Sequence, residues 1–380
     1  MAIVISVTEE PLATESWVVV LGNGRYFANV SGSHPSAWSA GANVVPDGHD
    51  YARSTQKVEA WSSPRNVATN GSGFYATTKP PGTLSGDGSQ YVYNSAEDPP
   101  AGNWNGVEAG DYTDVIYDTA NSRYVRVNHR SVHSRTFLQF SNNGVNFGSA
   151  ADPTDGQNDD FTDGTNASYQ IYYATIANST FVGVYQSVSS DPGGHKGNRI
   201  LVNSGSNFAA AETSIASTPN TAIRLGRPHY GDGVWYVGYT SGVLKSTDGG
   251  DTWTDQEINH GSDTCRIQSL SYSTGTGTWI AVGTVTYDVN GGTGIILRST
   301  DGGTTWSPVK TGGIASGGFF AVATDHNGTW LVGGQNREVY RSMNDGVSWV
   351  GPIATIYNDS FDGNSHYDVI SILYEANRNI

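Results

Sequence analysis

Acidic side chains are concentrated between residues 152 and 164, where aspartates alternate with glycine and asparagine. The candidate metal ligands in this segment are Asp155, Asp159, Asp160 and Asp163. Calcium ions bind about six to eight oxygen atoms, and acidic loops of this kind supply them. Because the spacing does not match an EF-hand loop, two interpretations stay open: a solvated acidic loop, which is the simpler one, and a Ca²⁺ site.

Basic side chains cluster between residues 123 and 135, although the formal net charge of the chain is −15. The candidate ligand-binding residues are Arg123, Arg126, His129, Arg130 and Arg135. Arginine holds phosphate and carboxylate groups through paired hydrogen bonds, so the cluster predicts a site for an anionic sugar, a phosphate or an acidic partner. Strand alternation places Arg126 on one strand face and the other residues in the loop beyond. Ordinary surface charge is the alternative.

Aromatic residues in predicted loops offer a third kind of chemistry. Trp38 lies in the long segment 31–49, and Tyr172 follows the acidic segment. Aromatic rings stack on sugars and anchor protein contacts, which makes both residues candidates for ligand binding. Packing between sheets is the alternative for each of them.

A glycoside hydrolase would need a pair of carboxylates flanking the scissile bond. Glu108, Asp111 and Asp114 form an acidic group before a predicted strand. Solvated turn residues produce the same pattern, so no residue is assigned a catalytic role. Enzymatic activity is left open, and a non-enzyme is favoured.

A repeated motif, S-x-D-x-G-x-x-W, indicates which structural elements position these residues. Two copies are nearly identical, and a third has asparagine in the aspartate position. Asp and Asn accept hydrogen bonds from nearby backbone N–H groups, Gly permits positive φ, and Trp packs between sheets. The motif is therefore interpreted as a structural hairpin turn and not as a ligand site. Its residues are Ser246, Asp248, Gly250, Trp253; Ser299, Asp301, Gly303, Trp306; and Ser342, Asn344, Gly346, Trp349.

This motif resembles the Asp-box, or BNR, repeat of the sialidase-like superfamily, which occurs in sialidases, some glycoside hydrolases and several non-enzymatic propellers. The resemblance implies a turn between the third and fourth strands of each blade of a β-propeller. Sialidases hold a substrate carboxylate with three arginines, the first of which lies in an Arg-Ile-Pro motif. Arg199-Ile200 and Arg266-Ile267 lack the proline. The chain is therefore interpreted as a non-catalytic member.

Degenerate copies extend the repeat when its terminal aromatic residue is used as the anchor, at positions 61, 104, 147, 208, 253, 306 and 349. Most spacings lie in the forties, as a four-stranded blade requires. The sequence predicts an all-β fold, a single seven-bladed β-propeller of four-stranded antiparallel blades over residues 1–380. Residues 3–7, residues 369–374 or both are expected to close the ring by pairing into a terminal blade.

Composition disfavours several other classes of protein. A strongly negative chain repels nucleic acid and anionic membranes. No segment contains the roughly 20 consecutive apolar residues of a membrane-spanning helix. The single cysteine, Cys265, excludes an internal disulfide. The first residues lack the basic region of a signal peptide, so synthesis in the cytoplasm is expected.

The leading functional hypothesis is a non-catalytic binding or structural propeller on a virus particle, such as a phage decoration or tail protein. It would recognise host carbohydrate or a protein partner, without binding nucleic acid or inserting into a membrane. The scarcity of lysine beside abundant Ser, Thr, Asn and Gly favours this hypothesis. The alternatives are a glycoside hydrolase and a cytoplasmic assembly factor that docks proteins.

Overall fold

The computed structural model describes a subset of the chain, and the strands within this subset are named β1 to β30. Among the described residues, no helix is both long and apolar enough to cross a membrane. The described residues are 15–21, 25–29, 39–43, 54–58, 65–70, 73–77, 83–84, 91–92, 111–118, 120–130, 135–141, 150–151, 169–187, 198–204, 214–217, 225–285, 292–311, 317–335, 338–355 and 369–376.

The first strands of the chain share a sheet with the last one. These strands are β1 (Glu15–Leu21), β2 (Arg25–Asn29), β3 (Ser39–Asn43) and β30 (Val369–Ala376). Their order is β3-β2-β1-β30. β1 and β30 are antiparallel, with Trp17 opposite Tyr374 and Val19 opposite Ile372.

Smaller sheets follow along the chain. β4, β5 and β6 form one antiparallel sheet, and β7 pairs with β8. The strands are β4 (Ser54–Val58), β5 (Arg65–Asn70), β6 (Gly73–Thr77), β7 (Thr83–Leu84) and β8 (Tyr91–Val92).

Two four-stranded antiparallel sheets come next, each built from consecutive strands. The first contains β9 (Asp111–Asp118), β10 (Arg123–Arg130), β11 (Arg135–Ser141) and β12 (Ala150–Ala151). The second contains β13 (Tyr169–Ala177), β14 (Thr180–Ser187), β15 (Asn198–Ser204) and β16 (Ser214–Ser217).

Three further antiparallel sheets carry the well-formed copies of the motif. One contains β17 (Pro228–Gly231), β18 (Val234–Tyr239), β19 (Gly242–Ser246) and β20 (Thr254–Glu257). The next contains β21 (Asn259–His260), β22 (Asp263–Tyr272), β23 (Trp279–Val285), β24 (Thr293–Ser299) and β25 (Ser307–Thr311). The last contains β26 (Phe319–Thr324), β27 (Trp330–Gly334), β28 (Glu338–Ser342) and β29 (Val350–Thr355).

Neighbouring sheets contact each other through several strands, which include the following pairs. β30 contacts β4, β4 contacts β9, β9 contacts β13, β13 contacts β17, β17 contacts β22, β22 contacts β26, and β26 contacts β30. The fold is thus all-β and is built mainly of four-stranded antiparallel sheets packed side by side.

The hydrophobic core lies between these sheets. Trp235, Trp279 and Trp330 occupy matching positions in β18, β23 and β27, and each pairs with the serine of its own motif on the next strand. All three are buried. One core cluster joins Tyr236 of β18 to Ile267 and Trp279 of the following sheet. Large aromatic side chains fill the space between sheets because they bury a large apolar area with few rotatable bonds.

The anchors at 253, 306 and 349 lie between the third and fourth strands of their sheets, counted from β22 in the five-stranded sheet. The anchors at 104, 147 and 208 lie outside the described residues; in sequence, 147 falls between β11 and β12, and 208 between β15 and β16. The anchor at 61 also lies outside the described residues, but the segment before it, Ser54–Val58, is strand β4 paired with β5. That segment lacks the aspartate and the second glycine that close the motif turn, and pairing with a later strand extends its backbone.

Candidate interaction surface

The three well-formed motif segments, residues 246–253, 299–306 and 342–349, are called here the first, second and third box. In the first box, Ser246 Oγ donates to Asp248 Oδ1 at 2.7 Å and accepts from the Gly250 backbone N–H at 2.9 Å. The Thr252 backbone N–H donates to the same carboxylate at 2.9 Å. Trp253 Nε1 donates to the Gly250 carbonyl at 2.9 Å. Every bond spans four residues or fewer, so the sequence itself dictates the turn.

The other two boxes repeat the pattern. Ser299 Oγ donates to Asp301 Oδ1 at 2.7 Å, and Ser342 Oγ donates to Asn344 Oδ1 at 2.9 Å. Asn344 also receives the Ser348 backbone N–H at 3.0 Å, the bond that Thr305 makes to Asp301. The asparagine therefore replaces the aspartate in the turn without loss of the backbone contact.

The fifth residue of each box is a glycine that packs against the preceding sheet. Gly250, Gly303 and Gly346 have positive φ of 103°, 72° and 79°. A Cβ atom at Gly250 would lie 2.7 Å from Val202, and one at Gly346 would lie 2.6 Å from Ile280. Glycine is required at this position because of both the backbone conformation and the lack of space.

The fourth residue of a box receives hydrogen bonds from the preceding sheet. Lys245 Nζ and Tyr236 Oη donate to the Gly302 carbonyl of the second box at 3.1 and 2.6 Å. Arg298 occupies the position that matches Lys245, and its Nε donates to the Asp345 carbonyl of the third box at 2.6 Å. The basic residue before the serine of the first and of the second box therefore joins its own sheet to the next box.

Asp345 adds a carboxylate to the contact between a sheet and the next box, which is called here a joint. It accepts hydrogen bonds from Thr276 Oγ1 at 2.7 Å, Arg298 Nη2 at 2.8 Å and Trp330 Nε1 at 3.2 Å, and one from Thr278 Oγ1. Burial opposes ionisation, but these hydrogen bonds outweigh it and hold the pKa of Asp345 below its ordinary value. In the second box, Gly302 has no side chain, and Trp279 Nε1, which matches Trp330 Nε1, is buried and has no hydrogen-bond partner among the described residues.

The joints connect the three boxes into a continuous row. The exposed side chains of this row differ from one box to the next. Met343 and Val347 of the third box, and Val350 directly after it, are 52%, 58% and 65% exposed. The matching positions are Thr300, Thr304 and Ser307 at the second box and Thr247, Asp251 and Thr254 at the first; all six are exposed. The apolar patch, defined as Met343, Val347 and Val350, thus occurs at the third box alone among the three.

The exposed charged side chains described around this row all have the same sign. Over the described residues between 225 and 355, every exposed side chain of the Asp, Glu, Lys and Arg types is acidic, and the basic ones are half-buried. The acidic residues are Asp232, Asp248, Asp251, Asp255, Glu257, Asp263 and Asp301. Hydrogen bonds from Thr252 and Thr305, with further bonds from the box serines, lower the pKa of Asp248 and Asp301 to about 2, so both stay ionised at neutral pH.

Residues 223–355, about a third of the chain, match the family model described as "Photosynthesis system II assembly factor YCF48". This segment contains all three boxes and the sheets that hold them. The chain is a β-propeller with BNR, or Asp-box, repeats. No curated protein matches the sequence closely enough to be counted a relative.

Solved structures resemble the propeller in fold. A putative 6-phosphogluconolactonase from Bacteroides uniformis has 9% identity and a TM-score of 0.55, and covers 95% of this chain and 99% of its own. The periplasmic gluconolactonase PpgL from Pseudomonas aeruginosa has 8% identity, a TM-score of 0.56 and the same coverage of both chains. YCF48 from Cyanidioschyzon merolae has 14% identity and a TM-score of 0.49, covering 89% of this chain and 98% of its own. At such low identity, the first two likenesses show the fold and not the activity.

Arg123 of the propeller, a predicted ligand-binding residue, is held within its own hairpin. Its Nε lies 3.0 Å from Asp118 Oδ2, its Cζ lies 4.0 Å from the centre of the Phe140 ring, and its side chain is 12% exposed. Asp118 is fully buried and also accepts hydrogen bonds from Asn121. These contacts give the arginine a structural role in the hairpin, and ligand binding by Arg123 stays a prediction.

The rest of the predicted basic cluster follows the same hairpin. Arg126, His129 and Arg130 lie in β10, and Arg135 begins β11 opposite Arg130. The expectation that all of these residues except Arg126 lie in a loop is wrong: Arg123, His129 and Arg130 lie in β10 and Arg135 in β11, because the two strands pair up to Arg130 opposite Arg135. The side chains of Arg126, His129, Arg130 and Arg135 are outside the described part of the structure.

Other predicted sites lie wholly or partly outside the described residues. Trp38 and the aspartates 155, 159, 160 and 163 are among them. Tyr172 lies in β13, but its side chain is not described. Within the described part of the chain, no group of three or more His, Cys, Asp or Glu side chains is arranged to hold a metal ion. The Ca²⁺ site therefore stays a prediction.

A contact between sheets also involves a titratable residue that the sequence did not single out. The Leu270 backbone N–H donates to His229 Nε2 at 3.2 Å, so this nitrogen is unprotonated. Burial, and to a lesser degree the nearby Arg227, lowers the pKa of His229 to about 3, although the residue as a whole is half-buried. The imidazole is neutral at physiological pH.

The apolar patch and the joint residues were both missed by sequence reasoning about chemistry. An alignment of the three boxes could have identified both sets of residues. Met343, Val347 and Val350 stand where the other boxes have threonine, serine or aspartate. What the alignment lacks is exposure, because an apolar residue in a turn is equally compatible with burial.

Proposed function

We propose that this protein is a single seven-bladed Asp-box propeller that docks protein partners during the assembly of a larger complex. The match of residues 223–355 to an assembly-factor family model carries the proposal. Propellers use the loops and turns at the ends of their blades as binding surfaces, and the boxes supply such turns. Fold alone does not determine function, so the proposal depends on this sequence match.

The blade number is supported by the order in which the sheets touch. Starting from β30, the contacts run through β4, β9, β13, β17, β22 and β26 and return to β30. Each of these strands belongs to a different sheet. A series of contacts that returns to its starting strand describes a ring of sheets. Because β30 pairs with β1, the last described strand completes the sheet of the first strands, and the ring has no first or last sheet with an uncovered face.

The other functional hypotheses gain no support from these observations. Neither the sequence match nor the fold likenesses favours a virion location or carbohydrate binding. Activity as a glycoside hydrolase also stays a prediction. In the boxes, the carboxylates of Asp248 and Asp301 accept bonds from their own turns, which is a structural use of both groups.

Quantitative co-purification from the native cells tests the docking role. The full-length protein with an affinity tag is isolated after mild crosslinking, and its partners are measured against cells that express the tag alone. We expect enrichment of the subunits of one complex, with incomplete forms enriched above the mature form. If the propeller is recovered without a stoichiometric partner and turns over a glycan in a broad substrate screen, the docking role is wrong and a glycoside hydrolase takes its place.

A further inference from the structure

We infer that the apolar patch of the third box is the anchor point of a docking surface for a basic protein segment that carries an apolar side chain. The inference deepens the proposed docking function and rests on it. Its two supports are the exposure of two apolar residues in the third box and one directly after it, and the acidic charge of the first and second boxes.

The apolar patch is unusual for a turn at a sheet end. Met343 and Val347 are four residues apart in the third box, and Val350 begins the strand that leaves it. Each is more than half exposed. Single exposed apolar residues are normal, but three within eight residues of the chain, at positions that are polar in the matching turns, indicate an interaction site. Leaving water is favourable for these side chains only when a partner covers them.

The folding role of the third box does not account for the patch. The turn is held by Ser342, Asn344 and Gly346, and its joint to the preceding sheet is made by Asp345. The first and second boxes form the same turn with polar residues in the three patch positions. The apolar side chains are therefore not needed to build the turn.

The charge of the row selects the partner. Asp248 and Asp251 of the first box and Asp301 of the second are exposed. The nearby lysines and arginines are turned to structural contacts, such as Lys245 with Gly302 and Arg298 with Asp345. A partner with lysine or arginine around an apolar anchor would meet complementary charge along the row, whereas an acidic partner would be repelled. Nucleic acid is disfavoured for the same reason.

A defined peptide probe tests the surface. The probe is a lysine-rich peptide with two leucine anchors, and its controls replace lysine by glutamate or leucine by serine. Binding to the full-length protein is measured by fluorescence anisotropy at low and high salt. We expect the first peptide alone to bind, with an affinity that falls roughly tenfold or more as salt rises, because exposed charges are screened.

The patch variant is Met343→Thr, Val347→Thr and Val350→Ser, which copies the second box. It should weaken binding about tenfold or more, since apolar anchors contribute much of the affinity of an interface. The matched control, Thr247→Ser with Thr254→Ser in the first box, should leave binding within about twofold. The reciprocal variant, Thr300→Met with Thr304→Val and Ser307→Val, should strengthen it. Thermal unfolding of every variant should match the wild type, because all the altered side chains are exposed.

Equal binding by the wild type and the patch variant would overturn the inference. A photo-crosslinking residue at position 347 identifies any other occupant. Crosslinks to a second copy, or to the same chain, would also overturn it. If the peptide fails while co-purification succeeds, the surface is wrong and the docking role stands. If both fail, the docking role itself is wrong.

Discussion

Replacement of Asp345 by alanine should destabilise the protein by about 3 kcal/mol. The carboxylate accepts hydrogen bonds from Thr276, Thr278, Arg298 and Trp330, and so joins two sheets. Trp330 and Thr278 are buried, so each loses its acceptor with little access to water. An unsatisfied buried polar group costs about 1–3 kcal/mol. Arg298 is 22% exposed in its side chain and recovers part of its loss by hydration.

Two further substitutions at this position separate the carboxylate from the backbone. Asp345 has a positive φ of 57°. Glycine tolerates this conformation, so Asp345→Gly should be about 1 kcal/mol less destabilising than Asp345→Ala. Asp345→Asn keeps one oxygen acceptor but removes the charge that faces Arg298, and should cost about 1–2 kcal/mol.

Urea denaturation followed by tryptophan fluorescence measures these differences from the midpoint and slope of the transition. Hydrogen exchange then shows where protection is lost, which should be near Thr278 in the preceding sheet and Trp330 in the same sheet. If Asp345→Ala unfolds within about 0.5 kcal/mol of the wild type, the hydrogen bonds at Asp345 do not join the sheets as argued.

The pH dependence of stability, a gain-of-function substitution and a steric test give three further predictions. The folded pKa of His229 is about 3, below the unfolded value of 6.5, so the unfolded state binds more protons between these values and stability falls as pH drops through that window. The loss should be about 2 kcal/mol, reduced because the residue is half-buried, and His229→Gln should flatten this part of a urea-denaturation profile against pH. Gly302→Asn should supply the acceptor that Trp279 Nε1 lacks and raise stability by about 1 kcal/mol; a lower thermal midpoint would contradict this. Gly303→Ala should cost about 2–3 kcal/mol in denaturant titration, because a Cβ would collide with the Tyr236 hydroxyl group; an unchanged midpoint would refute the packing argument.

The boxes could be predicted from the sequence because their hydrogen bonds are local. Serine, aspartate or asparagine, and glycine act within a span of four residues, and the structure contains the turns in that form. The propeller fold follows from repetition of this unit, since one blade cannot bury both of its faces and must pack against others. Segment 53–61 shows the limit of the pattern. Its similarity to a box is outweighed in Ser54–Val58 by pairing with β5.

The candidate ligand-binding residues also show what a sequence pattern leaves undetermined. Residue type and spacing single out Arg123, but its environment depends on Asp118 across the hairpin turn and on Phe140 of β11. No sequence count distinguishes an arginine that is available to a ligand from one that is held by a buried carboxylate. The three-dimensional placement of its neighbours makes that distinction.

The sequence by itself determined the repeated turn, the all-β class and the family of the repeat, because each depends on residues close together in the chain. Tertiary structure decided which distant groups meet. The pairing of β1 with β30, the joints at Gly302 and Asp345, and the exposure of Met343, Val347 and Val350 all depend on how separate sheets pack. Contacts of this kind are fixed by long-range burial and hydrogen bonding, which local sequence patterns do not encode.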